Sequence, residues 1–185
     1  ARAQGMPILE VARRPDDPAG VFRLTGTPIG TPPATGFADP DDLALVLHTS
    51  GTTSRPKIVP LTHRNVCTSA CNIATTLQLT ADDCCLNVMP LFHIHGLIAA
   101  VLATMTAGAS VVCSPCFQAE SFFEWLRQFH PTWYTAVPTM HQTILNASES
   151  HRDIVASSSL RLIRSSSASL PPQVMKGLED VFGAP

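Results

Sequence analysis

His48-Thr49-Ser50-Gly51-Thr52-Thr53-Ser54-Arg55-Pro56-Lys57 follows a compact run rich in Leu and Val at 43–48. That run reads as a strand. The next ordered element expected is a helix over about 63–77, with Thr62 placed to cap it. Residues 49–60 between them read as a loop. Five residues of the quoted segment bear hydroxyls, and it holds one Gly, one Pro and one Lys. Hydroxyls and backbone N–H groups in a tight turn can donate together to several phosphate oxygens. Gly51 lets the backbone approach a ligand closely. Lys57 is one of two lysines, Lys176 being the other, and suits the charge of a β/γ-phosphate. The helix downstream would add the positive end of its dipole. A polar surface turn rich in Thr and Ser would have the same composition. The segment is not a Walker A loop, because it lacks G-x-x-x-x-G-K-[ST].

From this loop a rhythm runs onward. Short apolar runs at 84–89, 110–113, 133–137 and 160–164 read as strands. Helical patterns at 96–106, 120–129, 140–146 and 172–182 separate them. Pro171 and Pro172 suit a first helical turn, and Gly108 suits a helix end. Strands alternating with helices imply an α/β fold with a mostly parallel sheet and helices on both faces. Residues 1–42 read as a loop-rich segment with one short strand at 6–11, and 43–185 as an incomplete α/β subdomain. The Ser165–Ser167 run directly follows a strand, where open α/β sheets place ligands.

Composition excludes several classes. With 185 residues, 45% hydrophobic and 14% charged, and a mean hydropathy of +0.17, the chain is not disordered. A net charge of −2 argues against nucleic acid as a partner. No run of 18 apolar residues appears, and the most apolar stretch, 97–109, is too short to span a bilayer. The six cysteines lie inside apolar or helical patterns and read as reduced, mostly buried thiols of an intracellular protein. His63, Cys67 and Cys71 share a helical face, but no fourth ligand has compatible spacing, so no metal site is assigned. Cys113-Ser114-Pro115-Cys116 has C-x-x-C spacing, and Pro115 would bend it into a turn. The face of Phe122, Phe123, Trp125, Leu126 and Phe129 reads as core. Both ends look cut, which suggests a piece of something longer. Part of that aromatic face would then be uncovered and favour self-association.

The order of residues adds a resemblance. Thr49-Ser50-Gly51-Thr52-Thr53 followed by Pro56-Lys57 resembles the phosphate loop of the adenylate-forming superfamily, which includes acyl-CoA synthetases. Pro90-Leu91-Phe92-His93-Ile94-His95-Gly96 is similar to its second signature. Trp133-Tyr134-Thr135-Ala136-Val137-Pro138-Thr139 is similar to its acyl-pocket strand and turn. Arg164-Ser165-Ser166-Ser167-Ala168-Ser169-Leu170 is similar to the stretch beside the adenine and the carboxylate. Ser54-Arg55, the doubled histidine and the serine run look closest to the peroxisomal-type branch of fungi and plants typified by oxalate–CoA ligases. Ser54 and Ile58 stand where glycines are common. The later signatures, among them Tyr-Gly-x-Thr-Glu, a ribose-binding Asp and a catalytic Lys on a mobile C-terminal domain, are not in this sequence.

The resemblance implies an ATP-dependent ligase with a small carboxylic acid as substrate. The acid is adenylated, and its acyl group passes to coenzyme A. Thr49, Ser50, Gly51, Thr52, Thr53 and Lys57 would hold the phosphates, with Mg2+ bridging them. His93 would act beside the phosphates and the carboxylate. His95, Val137, Pro138, Ser165, Ser166, Ser167 and Ala168 would line the acyl and adenylate pocket. A diacid such as oxalate needs donors for its second carboxylate, because a buried unpaired anion is costly. The resemblance also implies a peroxisomal location, with a cytoplasmic one as the alternative. Other readings are a non-catalytic nucleotide-binding module of the same fold and an unrelated phosphate-binding α/β protein.

Overall fold

The computed structural model describes residues 8–14, 16–18, 21–26, 36–49 and 57–185. The chain divides into two compact units, Ala1–Ala38 and Asp39–Pro185. In the first, β1 (Glu10–Ala12) pairs antiparallel with β2 (Arg23–Thr25), Val11 opposite Leu24. The expected short strand at 6–11 is therefore shifted. Its partner β2, three residues long, is too short for an alternating pattern to mark it.

The second unit opens with β3 (Leu43–Thr49) and β4 (Lys57–Thr62), an antiparallel pair with Thr49 opposite Lys57 and Val46 opposite Pro60. This corrects the expected loop at 49–60. Pro56 and Pro60 read as breakers, yet Pro60 is tolerated in a two-stranded ribbon, where one edge needs no N–H partner. The hydroxyl-rich segment joins two strands, and the helix whose dipole was expected beside it starts only after β4. Helix α1 (His63–Thr76) begins where the sequence placed it. Thr62 Oγ1 accepts from the Asn65 N–H at 3.2 Å, and Asn65 Oδ1 accepts from the Thr62 N–H at 3.1 Å. This reciprocal box satisfies two donors that a helix start leaves open.

Four parallel strands follow in the order β6-β5-β7-β8: β5 (Cys84–Asn87), β6 (Ser110–Cys113), β7 (Trp133–Ala136) and β8 (Leu162–Ser165). Alternation along each strand sends residues to opposite faces. One face carries Leu86, Tyr134 and Ala136 into the main core. There they meet Phe122, Phe123 and Leu126 of α3 (Ala119–Phe129), Ile144 of α4 (Pro138–Ala147), Ile154 of α5 (Arg152–Ala156), and Val174, Leu178 and Phe182 of α6 (Pro172–Phe182). The other face carries Cys85 and Trp133 against Ala100, which lies in a π-helical segment, His95–Leu102, continued by α2 (Ala103–Thr106). Helices cover both faces, as the alternating pattern predicts.

The aromatic face of α3 is covered: Phe122 and Phe123 are fully buried, and only Phe129 is exposed. The exposure expected on that face is confined to Phe129. The cysteines are corrected too. All are free, but Cys67, Cys71, Cys113 and Cys116 are exposed and only Cys85 is buried. Helix α1 turns Ala70 and Ala74 inward instead. The 148–156 stretch, which the sequence left unassigned, forms a 3-10 turn (Ser148–His151) and α5. Its His151 ring stacks on Phe123, with centroids 4.2 Å apart.

At the N-terminal ends of the strands, Asp83 is buried and ties three of them together. Its carboxylate accepts from Arg161 Nε and Nη2 at 2.8 and 2.7 Å and from Thr132 Oγ1 at 2.6 Å. It also accepts from the Thr80 N–H at 2.8 Å. The Arg161 guanidinium, bonded to it, holds the Asp83 carboxyl well below the usual carboxylate range. The opposite ends of the strands are left for the site.

Candidate active site

At the C-terminal ends of the sheet, Asn87, Thr135 and Arg164 stand side by side across β5, β7 and β8. Parallel alternation puts all three on the face covered by the π-helical segment. That segment can lie close because Gly96 lacks a side chain. A Cβ there would collide with the carbonyl oxygen of Pro90 and come within 2.8 Å of that of Met89. His95, next to this contact, is driven down onto the sheet and is 3% exposed.

The His95 ring sits between two hydroxyls. Its Nε2 is 2.6 Å from Thr135 Oγ1 and its Nδ1 is 3.1 Å from Ser167 Oγ. Arg164 Nη1 donates to the same Thr135 Oγ1 at 3.1 Å. A guanidinium has no acceptor, so Thr135 must accept from it, and the single Thr135 proton is free to go to His95 Nε2. With the Thr135 proton directed to Nε2, the ring is neutral and carries its own proton on Nδ1, donating to Ser167. The Ser167 hydroxyl keeps its own proton for another acceptor. Burial, with Arg164, His93 and His141 adding to it, pushes the His95 pKa down to about 4, which agrees with a neutral ring.

Ser167 pays backbone strain for this position. Its φ is +75°, a left-handed conformation that costs a non-glycine residue about 1 kcal/mol or more. His93 is exposed and caps the π-helical segment: the His95 N–H donates to its Nδ1 at 3.2 Å. A neutral His93 therefore carries its proton on Nε2, pointing a donor elsewhere.

These side chains surround a cavity of about 340 Å³. Its polar lining is His93, His95, Arg164, Ser166, Ser167 and Ser69, and its apolar lining is Ile73, Ile94, Ile98 and Ala99. The volume is in the range of small-ligand sites. Of the residues expected to form the pocket, His93, His95, Ser166 and Ser167 come together here. Ser165 does not line it. One step along β8 from Arg164, it belongs to the opposite face, and its buried Oγ has no hydrogen-bond partner. Val137 and Pro138 start α4 and Ala168 is exposed, and none of these lines the cavity. Ser50, Gly51, Thr52 and Thr53 lie outside the described residues. Thr49 ends β3 and Lys57, exposed, begins β4. Arg164 and Thr135 lay within the quoted signatures but were given no role of their own, and sequence reasoning missed the wall that α1 supplies through Ser69 and Ile73.

The chain belongs to the AMP-binding enzyme family, which matches residues 4–185. More particularly, it is 50% identical over 148 residues to an oxalate–CoA ligase of Arabidopsis thaliana, covering 79% of this chain and 29% of that protein. It is 38% identical over 144 residues to a sulfoacetate–CoA ligase of Cupriavidus necator, covering 78% of this chain and 28% of the other. Among solved structures, a malonyl-CoA ligase product complex with methylmalonyl-CoA and AMP superposes with a TM-score of 0.73 at 32% identity. It covers 81% of this chain and 33% of that one. The chain thus spans less than a third of the curated relatives it matches.

Proposed function

We propose that this chain carries part of the adenylation site of an AMP-forming acid–CoA ligase whose substrate is a short acid, oxalate first among them. The observation that carries the reading is the cavity at the strand ends, where His93, His95, Ser166 and Ser167 converge. A fatty-acid pocket would be long and lined by apolar side chains alone; the described residues around this one include Arg164, two histidines and three serines. The relatives named above act, by their names, on oxalate, sulfoacetate and malonyl groups, all of which carry a second polar or anionic end.

In the first half-reaction a carboxylate oxygen attacks the α-phosphorus of ATP, the bond to the β-phosphate oxygen breaks, and pyrophosphate leaves. In the second, the sulfur of coenzyme A attacks the acyl carbon and AMP leaves. Both steps depend on orientation and on donors aimed at developing charge. Ser167, oriented by His95, supplies one such donor, and His93 Nε2–H another. Thr49, Ser50, Gly51, Thr52, Thr53 and Lys57 are proposed to hold the leaving pyrophosphate. Mg2+ is expected with ATP, but no group of three or more His, Cys, Asp or Glu able to hold an ion occurs among the described residues.

The chain alone is proposed to bind without turning over, since the Tyr-Gly-x-Thr-Glu and catalytic Lys signatures are not in its sequence. Carboxylate-dependent exchange of label between pyrophosphate and ATP tests the reading, run on this chain and on the full-length protein with oxalate and a panel of acids. Acid-dependent exchange by the full-length protein supports it. ATP binding without exchange there supports the non-catalytic alternative. No helix among the described residues is long and apolar enough to cross a membrane. A peroxisomal location is proposed from the branch resemblance and is tested by imaging a fluorescent fusion of the full-length protein.

A further inference from the structure

From residue 58 onward the chain has six Arg and Lys side chains. Five of them pair with a carboxylate: Arg64 with Asp41, Arg127 with Glu124, Arg152 with Glu149, Arg161 with Asp83, and Lys176 with Asp180. Arg164 is the sixth, and no carboxylate among the described residues lies within ion-pair distance of it. It is also half-buried. Of the guanidinium's five N–H donors, the hydrogen bond to Thr135 uses one. A desolvated cation without an anion is unfavourable, and burial indeed lowers the Arg164 pKa from its ordinary value. The residue lines the cavity and is the one side chain of fixed charge among the described lining residues.

We propose that Arg164 selects the acid: it receives the second anionic group of a short substrate, a dicarboxylate or a sulfocarboxylate, while the reacting carboxylate uses the neutral donors of the same cavity. This rests on the acid–CoA ligase reading above. The planar fork of a guanidinium matches a carboxylate or sulfonate edge with two parallel bonds, which an ammonium cannot reproduce. A monoacid of the same size leaves the cation unpaired, so the site discriminates by what remains unsatisfied as well as by what it binds. The bond to Thr135 holds the guanidinium beside His95, so the cation and the oriented Ser167 hydroxyl share one hydrogen-bonded row.

The experiment compares the full-length protein with its Arg164→Gln and Arg164→Lys variants. Acid-dependent ATP–pyrophosphate exchange is measured with oxalate, malonate and sulfoacetate against acetate and propionate. Direct oxalate and acetate binding is followed by calorimetry. A charge-assisted hydrogen bond converts to roughly a 10- to 100-fold effect. The ratio of kcat/KM for oxalate to that for acetate is expected to fall by about that factor in Arg164→Gln, mainly through KM, with Arg164→Lys intermediate. Oxalate binding should weaken in parallel. An equal loss with every acid, at unchanged preference, would mean that Arg164 only supports the structure, and would overturn the proposal. So would oxalate binding indifferent to both substitutions. Absence of exchange with any acid, alongside oxalate binding that still needs Arg164, would overturn the ligase reading and leave the anion site standing.

Discussion

The neutral His95 between Thr135 and Ser167 makes a quantitative claim about acid. Its folded pKa is about 4 against an ordinary 6.5, a gap of about 2.5 pH units. At about 1.4 kcal/mol per unit this amounts to about 3 kcal/mol. The sign follows from proton counting. Between pH 6.5 and 4 the unfolded chain binds a proton at this residue and the folded chain does not, so acid favours unfolding. Stability is fully present above pH 6.5, falls as the pH drops toward 4, and changes no further below that on this account. His141, fully buried and hydrogen-bonded to Tyr134 through Nδ1 at 3.1 Å, has its pKa lowered by burial and adds in the same direction. Asp83 does not overlap, because its carboxyl is held below 3.8 and its contribution is lost only at lower pH. The perturbation is His95→Gln, whose amide can still donate and accept between the two hydroxyls but cannot take up a proton. Urea unfolding is measured for both proteins from pH 7.5 to 4.5. The wild-type loss across this range should exceed that of the variant by about 2–3 kcal/mol. Equal losses would refute the reasoning. His95 would then be protonated at its ordinary pKa, its Nε2 would donate to Thr135, and the outward orientation of the Ser167 proton would no longer follow.

Three other outcomes are expected. Asp83→Asn should destabilise the chain by about 2–3 kcal/mol in urea titrations, below the range for fully buried pairs because Arg161 stays 41% exposed and can rehydrate; a loss under about 1 kcal/mol would show that the strand ladder needs no ionic tie. Gly96→Ala should cost roughly 1–3 kcal/mol, because the added methyl meets backbone oxygens of Met89 and Pro90 that cannot give way. At Gly177 the same change meets the flexible end of Leu145 and should cost less, so the order of the two melting temperatures is the check. Self-association is expected on the outer face of the β3–β4 ribbon, where Val46 is 45% and Ile58 66% exposed. Sedimentation across a concentration series should show a rising mean mass that Ile58→Lys lowers, and a monomer throughout would sink the idea.

Much of this was legible because the local rules agree with one another. Thr62 capped its helix, Pro172 opened the last one, and each short apolar run from residue 84 onward became a strand of the parallel sheet, whereas the run at 43–48 paired antiparallel with β4. The misses have physical reasons. Strand β4 was hidden by Pro60, which propensity reads as a break but an edge tolerates. Cys67 and Cys71 were read as buried for their side-chain type, whereas the inward face of α1 is chosen by the smaller Ala70 and Ala74, which let the helix pack closely. Ser165 was within reach of the sequence: in a strand containing Leu162 and Arg164, a period of two puts Ser165 with Ile163 on the other face. Arg164 was not. Its relation to Thr135 depends on β7 lying beside β8, and its relation to His95 depends on a helical segment from the middle of the chain that crosses the sheet.

That crossing explains why the doubled histidine divides its labour. His93, exposed, closes the first turn of the π-helical segment and stays available to a ligand. His95, two residues on and beside Gly96, gives up charge and exposure in order to orient Ser167. A histidine charged at neutral pH in that position would face Arg164 across Thr135 with like charge, in a poorly hydrated site where such repulsion is strong. Keeping His95 neutral allows the guanidinium to stand as the fixed cation of the cavity. Its charge does not change anywhere between pH 5 and 8. Recognition of oxalate by Arg164 would then be insensitive to pH between about 6 and 8, where both of its carboxylates are ionised, and an Arg164→Gln penalty on oxalate binding that changes across that range would contradict this division of roles.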